Sequence, residues 1–85
     1  MKLNLGCGGI RIAGWHNVDK EATAATDALA DLESCPWPWP DNSVDEVLFN
    51  HSLEHMGGTP DGFIAIMREL WRVCAHGALI HINVP

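Results

Sequence analysis

A short apolar run meets a glycine cluster in Leu3-Asn4-Leu5-Gly6-Cys7-Gly8-Gly9. The run Lys2–Leu5 is typical of a buried strand, and the glycines after it predict a tight turn. Because glycine has no Cβ, a ligand can approach such a turn closely, and open parallel sheets bind ligands at the carboxyl ends of their strands. The stretch therefore marks a candidate binding turn, although a plain glycine turn explains this pattern equally well.

A second short strand is predicted at Trp15–Asp19, and it ends in a carboxylate. An acidic side chain in that place can accept both hydroxyl hydrogens of a ribose. The alternative is a helix cap or a solvated loop aspartate, which by itself is the commoner case. Asp19 is thus a candidate partner of the glycine turn in binding a nucleoside.

The remaining chain predicts further strands and one clear helix. A third short strand is expected within Asp27–Leu32, a fourth at Val44–Asn50 and a last one at Ala78–Val84. Between the last two, Thr59 is a candidate N-cap for a helix over Pro60–Ala75, which Gly77 would stop. Strands that alternate with loops and a crossover helix indicate an α/β fold with a parallel sheet.

The predicted helix carries apolar side chains at steps of three and four residues. They are Phe63, Ile64, Met67, Leu70, Trp71 and Cys74, with Arg68, Glu69 and Arg72 expected on the other side. Met67 and Trp71 are therefore predicted to be core residues. Trp37 and Trp39, in an alternating proline run, are predicted to pack over the sheet edge, with stacking on an adenine as the less favoured alternative.

Composition and net charge argue against some classes of function. The chain has 85 residues, three cysteines and a formal net charge of −6, which argues against binding to a nucleic-acid backbone. No apolar stretch approaches the roughly 20 residues that a membrane span requires. The odd cysteine count matches neither a disulfide nor a metal pattern, so reduced thiols and a cytoplasmic location are expected.

Four stretches together resemble a known family. They are Leu3–Gly9, Gly14–Asp19, Asp31–Met56 and Met67–Pro85, and they cover nearly the whole chain in family order. The chain resembles class I S-adenosylmethionine-dependent methyltransferases of the type 11 group that has Gly-Trp-x-Asn-Val-Asp after the glycine turn. The resemblance implies a Rossmann-like parallel sheet with strand order 3-2-1-4-5, lacking the last two strands of the full methyltransferase fold, in a single partial domain over residues 1–85.

The resemblance also implies S-adenosyl-L-methionine as cofactor and methyl transfer to an unidentified acceptor. Gly6, Cys7 and Gly8 would line its methionine part, Asp19 would bind the ribose, and Asp31 and Leu32 would meet the adenine edge. Asn50 would border the sulfonium, and His51 is the candidate catalytic base for an acceptor that must lose a proton.

Two departures from the family stand out. Asn4 occupies a position where many relatives carry an acidic residue, so its pull on the cofactor ammonium would be weaker. Only about ten residues separate the first two strands, near the lower limit for a crossover, and no full helix is expected between Gly9 and Trp15.

A different chemistry is compatible with residues 51–55. His51, Glu54 and His55 match a His-x-x-Glu-His zinc-peptidase pattern, in which the histidines bind zinc and the glutamate acts as base. Such a site usually requires a third protein ligand, for which only His76, His81 and Glu69 are candidates. We judge this a remote alternative.

The last predicted strand, Ala78–Val84, would be an apolar sheet edge open to another chain. The sequence is compatible with a fragment of a longer protein, which we favour, with a homodimer formed through that edge, or with a remnant that binds the cofactor without catalysis.

Overall fold

The computed structural model describes residues 1–50 and 60–83, with the side chains of Asn50 and Asn83 excepted. Five strands and one helix are present in that part of the chain. In chain order they are β1 (Lys2–Leu5), β2 (His16–Asp19), β3 (Ala28–Leu29), β4 (Val44–Asn50), α1 (Pro60–Val73) and β5 (Cys74–Asn83). The predicted strands are confirmed, with β3 shorter than expected, and no helix lies between β1 and β2.

All strand pairs are parallel, and the sheet order is β3-β2-β1-β4-β5. This confirms the predicted α/β Rossmann-like sheet. β1 is central, and Leu5 lies beside both Val18 of β2 and Phe49 of β4. The carboxyl ends of β1, β2 and β4 therefore lie together at one edge of the sheet.

The core lies on one face of the sheet. Leu3, Leu5, Val18, Val47 and Phe49 alternate along the strands onto this face and are fully buried. The helix covers them with Ile66, Leu70 and Val73, and the two tryptophans Trp37 and Trp39 complete the cluster. The predicted packing role of both tryptophans is confirmed, since their rings are buried and in edge-to-face contact.

The predicted rotation of α1 is wrong in part. Trp71 is 83% exposed, and Phe63 and Ile64 are also exposed. The buried residues of α1 are Ile66, Glu69, Leu70 and Val73, which share a different stripe of the helix. Met67, by contrast, packs against the core as predicted.

A partly buried ion pair between Glu69 and Arg72 explains this rotation. The Glu69 carboxylate accepts hydrogen bonds from the Trp37 backbone N–H at 2.6 Å and from Arg72 Nε at 2.8 Å. Arg72 also donates to the Trp37 and Trp39 carbonyls, each at 3.1 Å, and to Asp41. Glu69 and Arg72 must therefore face the segment Trp37–Asp41, and the helix turns Trp71 toward solvent. We call these contacts the Glu69–Arg72 clamp.

The end of the helix also differs from the prediction. α1 ends at Val73, two residues before Ala75, and β5 begins at once with Cys74. Gly77 does not stop the helix. It lies within β5 with a φ of 80°, in the stretch where the register against β4 shifts between Val44 and Glu46. Glycine adopts this left-handed φ without the steric cost that other residues pay.

In the described part of the chain only β4 pairs with β5, whose Leu79, Ile80 and Ile82 are exposed. Homodimer formation through Ala78–Val84 stays a prediction, and Val84 lies outside the described residues. Among those residues, no helix has the length and apolar character needed to cross a bilayer.

Candidate functional site

The candidate site lies where β1 and β2 end side by side. The backbone N–H groups of Gly6 and Cys7 both donate to the Val18 carbonyl, at 2.9 and 3.0 Å. These two bonds continue the β1–β2 ladder into the glycine turn. As a result the turn and the residue after Val18, which is Asp19, are direct neighbours.

The glycine turn needs its glycines for conformational reasons. Gly6 has a φ of 70° and Gly8 a φ of 55°, in the left-handed region that side chains disfavour. The Ile10 N–H closes the turn on the Cys7 carbonyl at 2.9 Å. A Cβ added to Gly8 or Gly9 would meet no atom of the described residues within 4 Å, so among these residues open space lies beside the turn.

Asp19 lies directly against this turn. Its Oδ2 accepts from the Gly8 N–H at 2.8 Å, and its Oδ1 accepts from the Lys20 N–H at 2.7 Å. The side chain is partly exposed. The Glu21 N–H also donates to Oδ1, at 3.5 Å. Since a carboxylate offers about four acceptor positions, Oδ2 retains a free position, and on Oδ1 a closer donor can replace this long contact. The structure thus brings together the two groups that the sequence predicted to converge.

A loop that follows Asp19 packs against the other side of the turn. Thr23 Oγ1 donates to the Gly8 carbonyl at 2.7 Å, and Thr26 Oγ1 lies 3.0 Å from Thr23 Oγ1. The Cys7 side chain is buried beneath, with its Sγ 3.9 Å from Thr26 Oγ1. Gly8 is therefore fixed by Asp19 through its N–H and by Thr23 through its carbonyl.

A buried asparagine, which sequence reasoning did not single out, organises the crossover between β1 and β2. Asn17 Oδ1 accepts from the Ile12 N–H at 2.9 Å, and Asn17 Nδ2 donates to the Ile12 and Trp15 carbonyls. The same Nδ2 donates to Asp27 Oδ2 at 2.8 Å. These bonds hold a crossover that is too short to contain a helix.

Asp27 is the charged member of this network. Arg11 donates a hydrogen bond to its Oδ1, and the Asn17 backbone N–H donates to its Oδ2 at 2.9 Å. The bond from Arg11, followed by those from Asn17, holds the pKa of Asp27 well below its usual range.

This depressed pKa predicts acid sensitivity. Folded Asp27 binds its proton more weakly than the unfolded chain does, so its stabilisation is complete above the unfolded pKa and is lost as pH falls through the folded one. We expect the free energy of unfolding, measured by urea denaturation, to fall as pH drops below about 4. The decline should be shallower in Asp27→Asn, and an equally steep decline there would contradict the assignment.

The two residues predicted to meet adenine lie near Asp19 but differ in exposure. The Ala30 N–H donates to the Asp19 carbonyl at 3.0 Å, which places Asp31 next to the end of β2. Asp31 is exposed, and its carboxylate accepts from the Glu33 N–H and the Ser34 hydroxyl. Leu32 is a core residue whose carbonyl accepts from the Trp37 indole at 2.8 Å. Their contacts with adenine stay predictions.

The predicted residues after β4 are only partly described. Backbone pairing places Asn50 at the end of β4 beside Asn83, one residue past the Phe49–Leu5 pair. His51, Glu54 and His55 lie outside the described residues, so both the base and the zinc alternative stay predictions.

Two of the candidates for a third zinc ligand have other partners. Glu69 binds Arg72, and His81 lies 2.8 Å from Glu46. Within residues 1–50 and 60–83, no three histidine, cysteine or acidic side chains are grouped closely enough to hold a metal ion.

A comparison with protein families supports this fold. A family model described as a methyltransferase domain matches residues 10–82. The match spans most of the chain, which belongs to this family and is a class I S-adenosylmethionine-dependent methyltransferase-like domain. The match begins after the glycine turn, so the support for a binding role of Gly6–Gly9 comes from the geometry of the structure and not from the family match. Comparisons with curated proteins and with solved structures give no match.

Proposed function

We propose that this domain binds S-adenosyl-L-methionine at the ends of β1 and β2 and takes part in methyl transfer to an acceptor not yet identified. One observation carries the proposal, namely the 2.8 Å hydrogen bond that joins the Gly8 N–H to Asp19 Oδ2. It places an open glycine turn and a carboxylate with spare acceptor capacity within reach of one small molecule.

The residues of the site fit such a cofactor. The Asp19 oxygens would accept the two hydroxyl hydrogens of the ribose, and the open space beside Gly8 and Gly9 would admit the methionine part close to the backbone. When bound, the cofactor supplies a methyl group that is already activated as part of a sulfonium. The contribution of this chain is then to hold and orient the donor and to keep water away.

The strand order also supports a place for the acceptor. β4 lies beside β1, so Asn50 at its end is next to the glycine turn. We propose that the acceptor approaches past Asn50 and that His51 serves as base for acceptors that lose a proton. We also propose a cytoplasmic location, because Cys7, Cys35 and Cys74 are free thiols.

Calorimetry with S-adenosylhomocysteine tests the proposal. The wild-type chain should bind the compound with a stoichiometry of one. Gly8→Ala should weaken binding about tenfold or more, since the methyl group occupies the open space and the left-handed backbone costs about 1–2 kcal/mol. Gly14→Ala is a matched control, because Gly14 also has a positive φ and open surroundings but contacts neither Gly8 nor Asp19 in the described hydrogen bonds. A folded wild-type chain that does not bind would refute the cofactor assignment.

A further inference from the structure

Two buried asparagines form a pair behind the glycine turn. Asn4 of β1 and Asn17 of β2 are register partners, and both side chains are 0% exposed. Asn4 lies two residues before Gly6, which follows β1, and Asn17 lies two residues before Asp19, the last residue of β2. Buried amides in strands require hydrogen-bonding partners, so the pair must have a structural or functional reason.

The orientation of the Asn4 amide is fixed by two acceptors. Asn4 Nδ2 donates to Asn17 Oδ1 at 2.9 Å and to the Ile10 carbonyl at 3.1 Å. Turning the amide over would set its oxygen against these two oxygens. Asn4 Oδ1 is buried and has no hydrogen-bond partner among the described residues. Asn4 therefore acts through its N–H groups, while its oxygen is sealed from solvent.

The pair is connected to both loops that border Gly8. On one side, Asn4 holds the carbonyl of Ile10, whose N–H closes the glycine turn on Cys7. On the other side, Asn17 holds Asp27 at the end of the loop that contains Thr23, which binds the Gly8 carbonyl. Two further hydrogen bonds join Asn17 and Asp27. The Asp27 N–H donates to the Asn17 carbonyl at 2.7 Å, and the Asn17 N–H donates to Asp27 Oδ2.

We infer that Asn4 is a positioning residue for the nucleoside site and not a ligand of the cofactor ammonium. Through Ile10 and Asn17 it holds the glycine turn in the place where Gly8 meets Asp19. Side-chain hydrogen bonds thus replace the packing of a helix between β1 and β2, where the structure has none. This inference rests on the proposed function for its ligand, but its structural part is measurable without one.

The substitution Asn4→Asp distinguishes a positioning role from direct binding of the cofactor ammonium, because the two roles predict opposite changes in ligand affinity. Aspartate has almost the shape of asparagine, but the carboxylate cannot donate to Ile10 or Asn17. If position 4 met the ammonium directly, the new negative charge would tighten the binding of S-adenosylhomocysteine. If it positions the turn, binding should weaken about tenfold or more, as expected when buried acceptors lose their donor. Tighter binding would overturn the inference.

Asn4→Leu is a second variant for the case that the buried charge of Asn4→Asp prevents folding. Leucine is neutral and similar in size to asparagine. Adenosine, which has the ribose and the base but no ammonium, serves as second ligand. A positioning role predicts that Asn4→Leu lowers the affinity for S-adenosylhomocysteine and the affinity for adenosine by similar factors. Unchanged adenosine affinity, or unchanged affinity for both ligands with only a lower melting temperature, would overturn the inference.

Amide hydrogen exchange of the ligand-free chain gives an independent readout. The Gly8 N–H is bonded to Asp19 and should be protected in the wild type. In Asn4→Leu it should exchange faster relative to the Leu5 N–H of β1, and equal protection of Gly8 in the two chains would overturn the inference. If the wild type binds neither ligand, the proposed function fails, while the exchange of Gly8 still decides whether Asn4 positions the turn.

Discussion

Asp19→Ala is expected to lower the affinity for S-adenosylhomocysteine at least about 100-fold, because each hydrogen bond to a charged group contributes about 1.5–3 kcal/mol. The variant loses the acceptors for both ribose hydroxyls. It also releases the Gly8 N–H, so the glycine turn loses its attachment to the end of β2. Calorimetry at 25 °C on chains shown to be folded by circular dichroism is the measurement.

Asp45→Ala is the matched control for this prediction. Asp45 is also an aspartate, but it lies near the start of β4, at the opposite end of the sheet, where it pairs with the N-terminus. Its removal changes the net charge by the same amount and should leave the affinity unchanged. A similar loss in both variants would mean that net charge, and not the ribose contact, determines binding. Full affinity in Asp19→Ala would refute the nucleoside site itself.

Those parts of the fold that depend on residues close together in the sequence could be predicted from the sequence. The end of β1 follows from a short apolar run that stops at Gly6, and β2 was predicted as a short strand that ends at Asp19. Parallel strands then bring these ends together, so the sequence is sufficient to predict that Gly8 and Asp19 lie close to each other. The absence of a helix between Gly9 and Trp15 likewise follows from the number of residues available.

The rotation of α1 could not be read from the sequence, because its determinant is a distant partner. Apolar side chains lie on a broad arc of this helix, so the sequence pattern alone does not decide whether Trp71 or Val73 is buried. What decides between them is the Trp37 backbone N–H, which needs an acceptor and finds Glu69. A glutamate in a helix is normally assigned to solvent, and nothing near it in sequence indicates this contact.

The asparagine pair was missed for a related reason, although a signal was present. An asparagine within a short strand suggests a loop when it is taken alone. The two strands share a pattern, however, since Asn4 lies two positions before Gly6 and Asn17 two positions before Asp19, and each is followed by a buried apolar residue. Parallel pairing places such residues side by side, where one amide can donate a hydrogen bond to the other. Matching polar residues in register would therefore have been a usable clue.

Glu69→Ala is expected to be the substitution that most directly tests the Glu69–Arg72 clamp. It removes the acceptor of the buried Trp37 N–H, and a stranded buried donor costs about 1–3 kcal/mol. For a domain of this size each kcal/mol lowers the melting temperature by about 4–8 °C. Arg72 would keep Asp41 and the carbonyls of Trp37 and Trp39, so the Trp-containing segment should loosen without leaving the core.

Two further variants locate the effect. Glu69→Gln keeps an oxygen for the Trp37 N–H but loses the charge that Arg72 binds, so its unfolding free energy should lie between those of wild type and Glu69→Ala. Arg68→Ala removes an exposed cation from the same helix and should change little. The hydrogen bond from Arg72, and secondarily that from Trp37, lowers the pKa of Glu69. The stabilisation that depends on its charge is therefore complete above the pKa of the unfolded chain and should be lost as pH falls through the lower pKa of the folded state. If Glu69→Ala were as stable as Arg68→Ala in urea at pH 7, the clamp would not be what orients the helix, and apolar packing of Ile66, Leu70 and Val73 would have to do so alone.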